Sequence, residues 1–494
     1  MSEDKELKQW KEKLFYQPKN GYDQIDAEQT GEIFAYAEGY KQFLDAARTE
    51  REAVKEAIRM AEDAGFVPYT FGMELQPGSK VYVNNRGKAL MLAVLGQQPL
   101  DHGCVIAGAH IDSPRLDLKQ TPMYEDSELA YFKTHYYGGI KNYQWVALPL
   151  ALKGVVAKKD GTVVDISLGD DPADPVFCVT DLLPHLGAEQ MKKNGREVVE
   201  GESLDVLFGS EPLIVEDAEE TTEAKPAKKE QTYEEQIAST AQKEAVRAHI
   251  MQLLLERYGI EEEDFLSAEI EVVPAGDARD CGLDRSMVIG YGQDDRVCAY
   301  TSLVAQLAIE DPARTAVCIL VDKEEIGSVG ATGMASQFFE NTMAEILNLM
   351  GKQGDLALRR CLANSSMLSS DVSAAFDPSY ASVFEPKNSA YCGRGLVFNK
   401  YTGSGGKSGS NDANAEYMAA LRKIMDDSGV KYQTAELGRV NAGGGGTIAY
   451  IPAKYGMNVI DSGVAVLSMH SPWEVTSKAD IYEAYKGYKA FLSA

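Results

Sequence analysis

No apolar run in the 494-residue sequence approaches the ~20 residues that a bilayer-spanning helix needs, which excludes a membrane span of that kind. Basic residues are scarce as well: 49 Lys and Arg stand against 75 Asp and Glu, a formal charge of −26 at pH 7. That balance repels phosphate, so nucleic acid and anionic membranes are excluded as partners. The seven cysteines include no CxxC pair, which leaves a thiolate zinc site without support. An odd number, scattered singly among apolar neighbours as at Cys104, Cys298 and Cys318, fits free thiols in a reducing cytoplasm rather than a disulfide framework. The opening residues, MSEDKELKQWKEKLF, are charged throughout and lack the apolar core of a signal peptide. Only six histidines occur, so their positions carry weight.

What is present is ordinary core material, 44% hydrophobic, in a length that suits two or three domains. Residues 5–15 and 30–64 have helical periodicity, and 81–83, 88–94 and 105–109 read as strands. From about 118 to 270 the texture changes to strands and loops, such as 145–156 and 162–166 joined across Asp160-Gly161, a tight-turn pair. The charged run at 216–231, EDAEETTEAKPAKKEQ, has almost nothing to bury and reads as a mobile loop. A helix at 234–258 follows. Beyond 286, strands and helices alternate: strands at 287–291 and 316–321, helices at 298–309 and from about 331. A strand at 459–467 and a helix at 478–492 close the chain. The pattern predicts a mixed-sheet α/β domain made of residues 1–117 and 275–494, interrupted by a more β-rich domain at 118–274.

Several apolar runs end on groups that bind cations. His110 follows VIAGA, His470 follows VAVLSM, Asp294 and Asp295 follow MVIGYGQ, and Glu324 and Glu325 follow CILVDK. Asp371 lies in the small-residue stretch SSDVSAAFDPSY. The carboxyl ends of strands are where open α/β sheets place their ligands. Singly, each has a plain explanation: an Asp after a strand is commonly a helix N-cap. Together, two His and three carboxylates, one of them bridging, give each of two cations three protein ligands and room for a shared water. Asp112, two residues beyond His110 on a strand-like trace, points to the same side and is placed to hold the imidazole tautomer. One of the adjacent glutamates is then a non-ligand, available as general base toward the attacking water.

The stretches AGAHIDSPRLDLK (107–119), GQDDRV (292–297), LVDKEEIGSVGATG (320–333), SSDVSAAFDPSY (369–380) and SMHSPWEVT (468–476) together resemble the aspartyl aminopeptidase family of dinuclear-metal exopeptidases. They follow the family's order and span most of the chain. The resemblance implies an α/β catalytic domain of the zinc exopeptidase type with an inserted β-rich dimerisation domain. It implies two divalent ions, Zn2+ in the first place with Co2+ or Mn2+ as alternatives for the same ligand types. His110 and Asp371 would hold one ion, Glu325 and His470 the other, and Asp294 would bridge them. Glu324 would take a proton from the bridging water and pass it to the leaving amine. Dimers assembling into a dodecamer are implied too, with a histidine of the inserted domain reaching a neighbouring active site; His185, in LLPHLGAEQ, is the match.

In the family's substrate pocket, Lys400 or Lys407, from KYTGSGGKSGSNDA (400–413), would pair with an acidic side chain of the peptide's first residue. The GGGGT stretch at 443–447, Gly446 included, would let the substrate backbone approach closely. Two positions depart from the family pattern. Asp295 follows the bridging residue where Asn is frequent, and Lys323 precedes the glutamate pair where Asn is common. Gly406-Lys407-Ser408 is not a phosphate loop, because that motif requires Gly at 401 and Tyr stands there. The implied activity is a cytoplasmic metalloaminopeptidase that removes N-terminal residues from peptides, preferring Asp or Glu. Two other readings stay open: a dinuclear aminopeptidase or amidohydrolase of another specificity, and a non-catalytic assembly protein that binds metal.

Overall fold

A computed structural model describes residues 3–214 and 244–494. The run at 216–231 and the first part of the helix expected at 234–258 lie outside the described residues. The chain divides into two compact units, residues 1–113 with 278–494, and residues 114–277.

The larger unit is organised on a nine-stranded mixed sheet. Three neighbours in it, Ala316–Val321, Val105–His110 and Ser366–Ser370, run parallel, with Val321 opposite His110 and Ser369 opposite Gly108. The first two are buried at every residue, as expected of strands covered on both faces, and this is why they read as unbroken apolar runs. Side chains alternate between the two faces. Val105, Ala107 and Ala109 enter one core, and Ile106 enters the other. Helices Gln293–Leu307 and Lys478–Leu492 cover the first face, while Phe338–Leu349 and Asp355–Ala363 cover the second. Because the three strands are parallel and in near register, whatever follows them emerges along one edge.

A five-stranded sheet in the same unit includes Met287–Gly290, Glu474–Ser477 and Ala465–Leu467 as consecutive neighbours. It delivers the chain into residues 291–295 and 468–473. The smaller unit holds a seven-stranded sheet, antiparallel in every pairing. Its interior includes stacked rings, Phe132 on Phe208 at 3.7 Å and Phe177 on Phe208 at 4.3 Å between centroids.

Some local expectations give way. The helical run at 30–64 is two helices, Ala27–Ala46 and Glu50–Asp63. Thr49 separates them because its hydroxyl accepts the Glu52 N–H as an N-cap. The strand expected at 459–467 is two strands in different sheets, Asn458–Gly463 and Ala465–Leu467. Gly463 marks the division: a Cβ there would lie 1.9 Å from the Asp371 carbonyl oxygen. The helix expected from 331 begins only at Phe338, since Gly327, Ser328 and Gly330 hold positive φ and turn the chain first. Residues 145–149 are not strand; the strand there is Leu150–Ala157.

All seven cysteines are free thiols. Among the described residues, no helix is long and apolar enough to cross a membrane. The closing helix is fastened by Asp480, which is fully buried and accepts the Gly393 and Gly395 amides at 2.7 and 2.6 Å. In Asp480→Asn one of those amides would face an NH2 group, a loss of about 1–3 kcal/mol. Denaturant unfolding should show a lowered midpoint, and an unchanged midpoint would remove this clamp from the account.

Candidate metal centre

His110 is the last residue of its strand and is 1% exposed. Its Nδ1 lies 2.9 Å from the Asp112 carbonyl oxygen and 3.3 Å from Asp112 Oδ1. A carbonyl only accepts, so Nδ1 carries the proton and Nε2 is the nitrogen that faces the site. Asp112 therefore sets the tautomer, with its carbonyl oxygen nearer and its carboxylate beside it. The Asp112 carboxylate, besides lying beside Nδ1, accepts the amides of Glu324 and Glu325 at 3.1 and 3.2 Å. Those amides open the short turn Glu324–Ile326, which Lys323 enters with φ 69°. One buried carboxylate thus fixes the backbone of the glutamate pair.

Asp294 arrives from the second sheet. Its Oδ1 is 3.2 Å from His110 Nε2 and its Oδ2 is 3.1 Å from His470 Nε2. A single carboxylate spans the two imidazoles. Glu325 Oε1 is 3.5 Å from His470 Nε2, and Glu324 Oε2 is 4.0 Å from His110 Nε2. Three overlapping donor groups have their ligand atoms within 4.8 Å of one another: His110 with Glu324 and Asp371, His110 with Asp294 and Glu325, and Asp294 with Asp295 and Asp371. The structure therefore brings together His110, Asp294, Glu324, Glu325, Asp371 and His470, with Asp112 behind them and Asp295 beside them.

Their electrostatics fit cations. His110 Nε2 and Asp294 Oδ1, 3.2 Å apart, both turn into the site as donor atoms that a cation accepts. Glu325 Oε1 is buried and has no hydrogen bond among the described residues. Burial comes first in raising the acids, and neighbouring carboxylates add to it: Asp294 acts on Glu325, while Asp295 and Glu324 act on Asp371. Both acids are held well above the usual carboxylate range. Burial likewise pushes Glu324 up to about 7. Asp294 is lowered despite its burial, because His110 and His470 both face it. His110 is raised by Asp112 and Asp294 against its own burial. So many buried acids around two imidazoles cannot all ionise unless positive charge is supplied. Nitrogen and carboxylate oxygen at such separations form a donor set that zinc accepts.

Of the remaining expected residues, the two lysines have partners of their own. Lys400 and Lys407 both contact Asp412, the latter at 3.0 Å, and Lys407 also lies over the Tyr401 ring at 3.8 Å. A Cβ on Gly446 would meet nothing within 4 Å. In that glycine run the crowded positions are Gly443, where a Cβ would come within 2.0 Å of the Leu437 carbonyl oxygen, and Gly444, where it would come within 2.4 Å of Ser404 Cα. His185 belongs to the smaller unit and is exposed. Sequence reasoning overlooked Glu474, which lies inside the SMHSPWEVT stretch and accepts two backbone amides of the site. Its one sequence signal is an acid at the head of a strand that is otherwise uncharged.

An α/β scaffold that gathers two imidazoles and buried carboxylates at its strand ends is the construction of a metallohydrolase. Residues 43–492 match the family described as Aminopeptidase I zinc metalloprotease (M18). A probable M18 family aminopeptidase 1 from Clostridium acetobutylicum is 56% identical over 97% of this chain and 99% of its own. The crystal structure of aminopeptidase I from that organism superposes with a TM-score of 0.87 at 54% identity, covering 97% of this chain and all of the other. An M18 aminopeptidase from Thermotoga maritima gives 0.88 at 43% identity over the same shares. The dodecamer of mApe1 from S. cerevisiae shares the fold, with a TM-score of 0.71 at 18% identity over 92% of this chain and 96% of that one. The chain belongs to the M18 family, the aspartyl aminopeptidase family, and is a hydrolase of the zinc metalloprotease type acting as an aminopeptidase.

Proposed function

We propose that this aminopeptidase removes N-terminal Asp or Glu from peptides with the help of two divalent ions, Zn2+ first, with Co2+ or Mn2+ suited to the same donors. The observation that carries the two-ion reading is the Asp294 carboxylate, one oxygen toward His110 and the other toward His470. His110 and Asp371 would hold one ion, Glu325 and His470 the other, and Asp294 both. Bound there, the pair supplies Lewis acidity toward the scissile carbonyl and lowers the pKa of water.

Of the adjacent glutamates, Glu324 is then the one left without an ion. Burial raises it to about 7, and cations close by would draw it lower. It takes the proton of the attacking water and returns it to the amine that leaves. Asp112 keeps it aimed, through the Glu324 amide. The surplus of carboxylates around the site suits the α-ammonium of a peptide's first residue.

For the acidic preference, Lys400 and Lys407 share one counter-charge among the described residues, Asp412. One positive charge therefore remains for a substrate carboxylate. The same pairing favours, as a second reading, a preference for neutral residues, should neither lysine release Asp412. A panel of aminoacyl chromogenic substrates separates the two. Asp and Glu derivatives should exceed Leu in kcat/KM by about tenfold or more, the effect of one hydrogen bond to a charged group. Equal rates would remove the acidic preference.

Free thiols throughout suit the cytoplasm. His185 has apolar company on the surface, with Leu182 and Leu183 about half exposed and Leu186 and Met191 more so. Exposed apolar clusters of this kind suit subunit contacts. This supports dimers, and a dodecamer like that of the yeast protein, in which His185 would reach a neighbouring subunit's site.

A further inference from the structure

Glu474 opens the strand Glu474–Ser477 and is 1% exposed. Its Oε2 accepts the Asp294 amide at 3.0 Å, and its Oε1 accepts the His470 amide at 2.7 Å. Its own carbonyl accepts from Gln293 Nε2 at 2.6 Å, and Gln293 Oε1 accepts in turn from the Tyr40 hydroxyl at 3.2 Å. The strand is pinned as well, with Glu474 opposite Gly290 in the neighbouring strand. One rigidly held carboxylate therefore grips the backbones of two residues that come from distant parts of the sequence.

The side chains of those two residues meet in the site, Asp294 Oδ2 to His470 Nε2 at 3.1 Å. His470 has φ 64°, and Ser468 before it has φ 58°, a left-handed conformation that side chains other than glycine seldom keep without an external hold. The Glu474 carboxylate supplies that hold. Its role mirrors that of Asp112, which fastens the amides of Glu324 and Glu325. Two buried acids thus hold the backbones of four of the residues that converge here, and neither needs to touch a substrate.

We infer that Glu474 is a positioning residue of the metal centre, setting the separation of the Asp294 carboxylate and the His470 imidazole so that one ion can take both. This rests on the reading of those two residues as ligands. A merely structural carboxylate would lower stability and leave the ligands where they are. Asp480 serves as the control, because it also grips two backbone amides but belongs to the closing helix.

The test is a Co2+ titration of apo-protein, followed by visible absorption and kinetics on the loaded enzyme. Wild type should take up two equivalents. In Glu474→Gln, affinity for at least one should fall about 10–100-fold, the usual effect of disturbing a group behind the ligands. The cobalt band should change, and kcat should drop with KM little altered. Glu474→Asp, which keeps the charge but is one methylene shorter, should fall between the two, and it carries the same readings if Glu474→Gln does not fold. Asp480→Asn should lose stability but keep the wild-type spectrum and affinity. Wild-type affinity and spectrum in Glu474→Gln, or equal metal loss in Asp480→Asn, would overturn the inference. Wild type that binds no cobalt would overturn the metal reading itself, a separate outcome.

Discussion

Glu324→Gln should lose about 10²–10⁴-fold in kcat, the range that a positioned general base contributes, while its metal content and KM stay close to wild type. The substitution keeps the size of the side chain and removes only its ability to take a proton. Asp112 grips the Glu324 amide rather than the side chain, so the turn should survive unchanged. The pH profile gives an independent reading. A base works only when ionised, so activity must fall as pH drops through its pKa. Burial places that value near 7, and bound cations lower it, so the acid limb of wild-type kcat should lie below 7. Glu324→Gln should lack that limb. A variant that hydrolyses peptides at the parental rate would show that another group moves the proton.

Asp294→Ala should have the second large effect, because it removes the carboxylate that turns one oxygen to each imidazole. Affinity for both ions should fall together, by more than the ~100-fold seen when a mere supporting residue is lost, and hydrolysis should fall with them. Treatment with a chelator should reproduce that loss in wild type, reversibly on adding Zn2+. His470→Ala should be milder for the first ion, since His110 and Asp371 remain. Measuring metal content by mass spectrometry distinguishes these cases. Retention of two ions by Asp294→Ala would contradict the bridging role.

Much of this site was legible because of how buried strands look in a sequence. Val105–His110 and Ala316–Val321 are buried at every residue, so they appear as unbroken apolar runs, and the first polar group after each stands out. His110, the glutamate pair and Asp371 become neighbours because their strands are neighbours in one parallel register. Backbone-directed contacts were not legible. Glu474 and Asp112 hold amide N–H groups, which every residue but proline offers, so no partner is marked in the sequence. The pairing of Lys400 and Lys407 with Asp412 was hidden for a related reason: it depends on how a glycine-rich loop folds back, and glycine leaves many paths open. The strand expected at 459–467 was misjudged because hydrophobicity continues across Gly463 while the chain passes from one sheet to the other.

The most direct test is an anomalous difference map at the zinc edge from crystals of the zinc-loaded protein. Two peaks are expected, one contacted by His110 and Asp371, the other by Glu325 and His470, with Asp294 shared and Glu324 bound to neither. A single peak, or peaks away from Asp294, would contradict the account.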